Sequence, residues 1–388
     1  MKVVLVNSFY SNSKPSGENE IFKELFNGLK KFGIWVSSIT LETDMEEKKF
    51  LFRSRAAFNV FIGKGMANPS KQIEKLNPDI VHINNLFPNF ESNWLKKTNY
   101  PKVITIHNYR AICAAGTLSR DGKFCNLCLY KPYSAIRYRC YKNSKLATLP
   151  LYISRLLKRQ EKILTKFQKV FVPSQRALDI FSTFGIANEK WQVIPHAIQQ
   201  PKLLKHEKIN KYVFVGRLSP EKGIERILDM WPQKVALDVI GDGNLDRSKY
   251  ISNVNVNFLG KVSRKEVLEL LPKYKGMVFT SSSPESALPL VVLESIALGL
   301  PIITTDNNTV SDAVREGNFG AILPANYIKR DLEFCIKQIE SNYEDLRIKA
   351  QNYSKLHHNF RSWINAYNSI YKQVIEEWEN NRYIRELQ

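Results

Sequence analysis

The strongest constraint on this chain is a rhythm. Short runs of β-branched and apolar residues recur twelve times, separated by stretches with helical spacing. In the first half they are Val3–Val6, Val36–Leu41, Ile80–Asn84, Val103–His107, Val170–Val172 and Gln192–Ile194. In the second half they are Tyr212–Val215, Leu237–Ile240, Val254–Leu259, Met277–Thr280, Ile302–Thr304 and Ala321–Leu323. The stretches between them, such as "NEIFKELFNGLKKFG", put apolar residues on one helical face, and this one stops at Gly33. Strand and helix in alternation predict parallel sheets covered on both faces. The polar stretch "QQPKLLKHEKINK", Gln199 to Lys211, breaks the series and reads as a linker. The expected architecture is α/β, with two facing Rossmann-like, doubly wound domains. The first is expected over 1–198 and the second over 212–355, with 199–211 as linker and a closing helical segment over 356–388. Such sheets bind ligands at the carboxyl ends of their strands, so two facing domains predict a cleft between them.

A chain of 388 residues is comfortable for two domains. The opening "MKVVLVNSFY" has too short an apolar stretch for a signal peptide and reads as a first strand. No apolar run approaches the ~20 residues of a membrane-spanning helix. These features predict a cytoplasmic protein whose five cysteines are reduced. The net charge of +20 is unevenly spread. Between Lys96 and Val170 there are seventeen Lys or Arg against two acids, Asp121 and Glu161. A local excess of this size implies a surface for an anionic partner.

Two stretches carry chemistry. In "GMVFTSSSPESALPLVVLESIALGLP" a buried strand enters a small polar loop. A helix is expected from near Pro289, which suits a first turn, to Gly299, with Pro301 beyond. Its N-terminus offers free N–H groups and the positive end of the helix dipole, a seat for phosphate. Glu294, just over one turn in, lies among Val291, Val292, Leu293 and Ile296, so a solvated position fits it poorly. A carboxylate there can accept hydrogen bonds from a ribose diol. The second stretch, "YVFVGRLSPEKGIERIL", is a strand, a glycine turn and a helix. Arg217 and Lys222 leave the end of that strand, where two cations can hold a diphosphate and stabilise it as a leaving group. A surface turn is the plain alternative.

In order, "VGRLSPEKGIERIL", "DVIGDG", "VNFLGKV" and "PLVVLESIALGLPIITTD" resemble the nucleotide-sugar domain of the family 4 retaining glycosyltransferases, which have the GT-B fold. "SGENEIFKELFNGLKKFG", "PDIVHINNLFP", "VITIHNYRAIC", "FVPSQRALDIF" and "WQVIPHAI" are similar to the acceptor domain of that family. "NFRSWINAYNSIYKQVIEEW" resembles its closing helix, which crosses back to the first domain. The resemblance implies transfer of a sugar from a nucleoside diphosphate, UDP or GDP, to an acceptor hydroxyl with retained anomeric configuration. It implies that Glu294 holds the ribose and that a first acid lies near the donor sugar. Backbone N–H groups of Ala287, Leu288 and Leu290 become phosphate candidates, since Pro289 has none to give. Arg217 and Lys222 match the diphosphate cations, and Gly17 matches a loop that approaches the donor. Gly216 and Val262 fall in the donor-binding motifs. His107, at the end of its strand, matches a histidine facing the reacting centre; a hydrogen-bonded structural histidine is the reading without the family. The family usually separates its two glutamates by seven residues, and here eight intervene. Either the loop carries one extra residue and Glu285 reaches the sugar, or Ser286 takes the acid's place; a loop absorbs one residue easily, which favours Glu285. No metal is expected at the catalytic centre.

Cys113, Cys125, Cys128 and Cys140 form C-x11-C-x2-C-x11-C within a basic insertion over about 110–165. The inner pair resembles a zinc knuckle, which makes a structural zinc site one expectation; disulfides or four unrelated thiols are the others. The basic stretch "NSKLATLPLYISRLLKRQEKILTKF", with nearby Tyr130, Tyr133, Tyr138 and Tyr141, predicts a face that meets anionic lipid. No nucleic-acid recognition motif accompanies it. By family analogy the acceptor is a lipid-linked or other oligosaccharide in bacterial surface-polysaccharide assembly, such as capsule or O-antigen, which places the protein on the inner face of the membrane. Two further readings remain: a catalytically weak partner subunit, and a nucleotide-sugar epimerase on the same fold.

Overall fold

The computed structural model describes residues 1–10, 16–201, 209–250 and 253–386. It contains two compact units. The first comprises residues 1–117, 126–196 and 360–388, and the second 118–125 and 197–359. Most of the stretch read as a linker, 202–208, lies outside the described residues.

The first unit has a six-stranded sheet. Its strands are β1 (Lys2–Phe9), β2 (Trp35–Glu42), β3 (Ile80–Asn85), β4 (Lys102–Thr105), β7 (Lys169–Val172) and β8 (Trp191–Val193). Their order is β2-β1-β3-β4-β7-β8, all parallel. All six runs read from the sequence form strands, with ends moved by at most three residues. The fourth strand stops at Thr105, so His107 stands in the loop after it. The runs were legible because both faces of a parallel sheet are covered: Val3 to Val6 and Ile80, Val81 and Ile83 are all fully buried. Between β4 and β7 a hairpin of β5 (Ser119–Arg120) and β6 (Lys123–Phe124) has no apolar run to announce it. That hairpin belongs to the second unit, although the insertion around it was expected in the first domain.

The last helix, Phe360–Glu386, is part of the first unit. Trp363, Ile364, Tyr367, Tyr371 and Val374 are its buried stripe. It lies against helix Gly17–Lys31 so closely that a Cβ on Gly28 would come within 2.4 Å of Ile364 Cδ1. Tyr371 Oη meets His82 Nδ1 at 2.5 Å, and His82 Nε2 meets Thr105 Oγ1 at 2.8 Å. Burial holds His82 down to about 3, so it is a neutral, structural histidine tying that helix to the sheet.

The second unit repeats the design with β9 (Lys211–Val215), β10 (Ala236–Ile240), β11 (Val256–Gly260), β12 (Gly276–Phe279), β13 (Ile302–Thr305) and β14 (Gly320–Leu323). The parallel order is β11-β10-β9-β12-β13-β14. Chain order reverses between β9 and β12, which makes their carboxyl ends the ligand crevice of a doubly wound sheet. In the first unit the corresponding reversal lies between β1 and β3.

Candidate donor and acceptor sites

In the second unit the loops after β9 and β12 interlock. Lys222 closes a short 3-10 turn, Pro220–Lys222, after β9. Gly223 follows with φ of 69°, and a Cβ there would stand 2.3 Å from Thr280 O. Only glycine lets the two loops approach this closely. Thr280 Oγ1 donates to Lys222 O at 3.1 Å, and Ser281 Oγ lies 3.1 Å from Glu221 O. Across this joint Lys222 Nζ pairs with Glu285 Oε1 at 2.7 Å, and Ser281 Oγ donates to the same oxygen at 2.7 Å. Glu285 itself adopts a left-handed backbone, φ 46°. Its carbonyl accepts from Thr309 Oγ1 at 2.8 Å. A non-glycine residue held in this conformation by several contacts is a common feature of functional loops. Arg217 is 68% exposed, with its guanidinium 3.9 Å from Glu221. Gly216 N donates to Ile240 O at 3.0 Å, which fixes the turn out of β9.

The helix after this loop runs Leu290–Ala297 with Pro289 at its cap and Gly299 in the left-handed region beyond. Glu294 is only 3% exposed. Arg264 Nε donates to its Oε1 at 2.7 Å. Arg264 opens helix Arg264–Leu270, two residues after Val262, and Ser263 caps that helix with a capping box. This arginine was not singled out in the sequence. Its partner is thirty positions away, and no local pattern signals it. Leu288 is buried, and Val262, Ser286, Ala287 and Leu290 are half-buried on the same loops.

The first unit gathers other polar groups at the ends of β1, β3 and β4. Gly17 is the first residue of helix Gly17–Lys31, capped by Ser16; most of the loop before it, 11–15, lies outside the described residues. His107 stacks on His196, with ring centroids 5.1 Å apart, and its Nδ1 lies 3.2 Å from His196 Nε2. Its Nε2 lies 3.2 Å from Asn84 Oδ1. A carbonyl oxygen can only accept, so Nε2 carries the proton and Nδ1 accepts from His196. Burial holds His107 down to about 4, so the ring is neutral near pH 7 although one edge still meets solvent. Beside it Asn108 Nδ2 donates to Glu18 Oε2 at 3.3 Å. Burial pushes the Glu18 carboxyl up to about 7, against the lowering influence of Asn108, Arg110 and Asn85. Tyr10, next to the same charges, is pushed up to about 12, chiefly by burial. Glu18 and its neighbours escaped the sequence reading because a glutamate at a helix start is ordinary. Only what packs across it makes it unusual.

The four cysteines do not build the zinc site that their spacing suggested. Among the described residues no three His, Cys, Asp or Glu side chains gather to hold a metal. No disulfide joins the cysteines among the described residues.

Comparison with known proteins gives these loops a context. Residues 16–199 match the family model described as Glycosyltransferase Family 4, and residues 196–357 the one described as Glycosyl transferases group 1. The chain belongs to the family 4 glycosyltransferases. Over 129 residues it is 34% identical to a GDP-mannose-dependent alpha-mannosyltransferase of Mycobacterium tuberculosis, a match covering 32% of this chain and 33% of that one. The chain covers 26–59% of the length of the curated relatives it matches. The fold extends further. Sucrose-phosphate synthase from Thermosynechococcus elongatus superimposes with a TM-score of 0.69 over 97% of this chain and 99% of its own, at 14% identity. The Anabaena protein HepE in complex with UDP gives 0.60 over 96% and 100%, at 15% identity. As in these solved structures, the chain has two parallel-sheet, Rossmann-like units.

Proposed function

We propose that this protein transfers a sugar from a nucleoside diphosphate to an acceptor hydroxyl with retention of configuration, in the assembly of a surface polysaccharide. One observation carries the proposal. The Lys222–Glu285–Ser281 cluster and the buried Glu294 stand on loops at the β9/β12 reversal, where a doubly wound sheet takes its ligand. Relatives and neighbours named for GDP-mannose and UDP support a nucleotide at this place.

The chemistry follows from what each group can do. Glu294, held by Arg264, accepts hydrogen bonds from the two ribose hydroxyls and fixes the nucleoside. Arg217, exposed and able to swing, and Lys222 meet the diphosphate; the N–H groups of Ala287, Leu288 and Leu290 add neutral donors. As the bond between the anomeric carbon and the phosphate oxygen breaks, charge grows on that oxygen and these groups stabilise it. Glu285, already drawn to Lys222, faces the sugar. The acceptor oxygen bonds to the anomeric carbon on the face the diphosphate leaves, and its proton passes to a phosphate oxygen. Neutral His107, with its proton on Nε2, orients the reacting groups rather than carrying charge.

The acceptor is lipid-linked, and the protein works at the cytoplasmic membrane surface. Helix Lys145–Leu156 supports this: Leu146 is 83% exposed, and Leu149, Leu156 and Leu157 are exposed beside Lys145 and Lys158. Tyr130, Tyr133 and Tyr138 are exposed nearby in sequence. Lysines around exposed leucines and tyrosines suit an anionic lipid interface. No described helix is long and apolar enough to cross a membrane. The test is a donor screen of UDP- and GDP-sugars with a short polyprenyl-diphosphate-linked saccharide, read by mass spectrometry. Consumption of one donor with a matching gain of mass on the acceptor is expected, lost in Lys222→Ala. No consumption of any donor, or its conversion to an epimer without acceptor, contradicts the proposal.

A further inference from the structure

The first unit contains a cavity of about 150 Å³, enclosed by the ends of β3 and β4, helix Phe52–Ile62, helix Lys145–Leu156 and helix Arg159–Leu164. It reaches from His107 to Arg159. The volume corresponds to about five waters, room for a small charged group.

Its wall has an uneven chemistry. Arg110, Arg155 and Arg159 line it, and no Asp or Glu does. Five of the unmatched polar atoms in the wall are donors or hydroxyls, against one unmatched acceptor, Asn59 Oδ1. Nε and Nη1 of Arg110, Nε of Arg155, Nδ2 of Asn84 and Oγ of Ser154 are all buried with no hydrogen-bond partner among the described residues. Ser154 is only 3% exposed and Asn84 5%. A buried donor left unmatched is destabilising, so several in one wall ask for an acceptor-rich occupant. The nearby acids do not supply it: Glu161 takes Arg155 Nη1, and Glu18, which interacts with Arg110, lies outside the wall. Arg110 is held in place by stacking on Phe87, 4.3 Å from the ring centre, with its backbone N–H bonded to Asn108 Oδ1 at 3.0 Å. A guanidinium fixed by an aromatic face and offering free N–H groups matches a phosphate.

We propose that this cavity binds a phosphate group of the acceptor, with Arg110 as its principal cation and Arg155, Arg159, Ser154 and Asn84 completing the donor set. A phosphate here lies in the same cavity as His107. The helix that supplies Arg155 and Ser154 also carries the exposed leucines, so an apolar chain attached to the phosphate can leave along that helix. The inference deepens the transferase reading and rests on it for the role of the ligand, though not for its binding.

The experiment measures binding of farnesyl phosphate, inorganic phosphate and farnesol by calorimetry in dilute detergent, on wild type, Arg110→Gln and Arg159→Gln, with UDP and GDP as control ligands. Farnesyl phosphate is expected to bind wild type and to lose at least tenfold in affinity in each variant, while farnesol binds poorly and the nucleotide response is unchanged. If inorganic phosphate binds as tightly as the ester and is equally sensitive to both variants, the site reads a free anion and phosphate recognition stands. Should a variant fold poorly, hydrogen exchange on the wild type replaces it: farnesyl phosphate must protect 151–164. Equal binding to wild type and variants, or farnesol binding as tightly as its phosphate, overturns the proposal. Nucleotide binding without any phosphate binding overturns it alone; the absence of both overturns the transferase reading with it.

Discussion

Replacing Glu18 by Gln isolates the energetic consequence of one buried carboxyl. In the folded chain Glu18 is pushed from 4.5 up to about 7 by burial. A shift of that size corresponds to about 3 kcal/mol between the two protonation states. Glu18 keeps some contact with solvent, which reduces the expected effect to about 2 kcal/mol. The sign follows from the raised value. The folded state holds a proton that the unfolded chain releases near 4.5, so the favourable contribution is complete below that pH and is lost as pH rises to about 7. Gln carries no such proton. The stability of Glu18→Gln relative to wild type should therefore be flat below pH 4, rise by about 2 kcal/mol between pH 4.5 and 7, and be flat again above pH 8. Urea unfolding at a series of pH values, followed by hydrogen exchange in helix Gly17–Lys31, reads this directly for the first unit. A difference independent of pH would refute the reasoning, because it would mean that Glu18 titrates as an ordinary glutamate.

Other perturbations have definite expected outcomes. Gly223→Ala places a Cβ 2.3 Å from Thr280 O in a left-handed backbone; it should cost about 3 kcal/mol or more and lower the melting temperature of the second unit. Tyr371→Phe removes the hydroxyl that meets buried His82 and should cost about 1–3 kcal/mol, seen as earlier exchange in helix Phe360–Glu386. Arg264→Ala takes the guanidinium away from buried Glu294 and should weaken nucleotide binding by about tenfold in a calorimetric titration, while Arg264→Lys retains part of it.

The central strands were legible because they are buried on both faces and so read as unbroken apolar runs, as Val3–Val6 and Met277–Phe279 do. The helix bearing Glu294 was legible because Pro289 and Gly299 punctuate it, and its burial because apolar neighbours surround that glutamate on the helix. The β5–β6 hairpin was not: its strands are two residues long and exposed or half-buried, with no apolar run to detect. Groups that act through distant partners were equally silent. The Arg264–Glu294 pair, the His107–His196 stack and the Glu18–Asn108 contact join residues 30 to 90 positions apart. The zinc expectation rested on spacing along the chain alone, and among the described residues no three His, Cys, Asp or Glu side chains gather to hold a metal.

The central claim is that the β9/β12 loops bind a nucleoside diphosphate, and its most direct test is a thermal-shift titration of UDP, GDP and ADP on wild type and Glu294→Ala. Binding to the native state alone raises the melting temperature by mass action: a ligand at 100 times its dissociation constant contributes about 2.7 kcal/mol. The account predicts that one nucleotide stabilises the wild type and that Glu294→Ala, still folded, loses the response. A wild type that responds to none of the three, or a Glu294→Ala variant that responds as the wild type does, contradicts it.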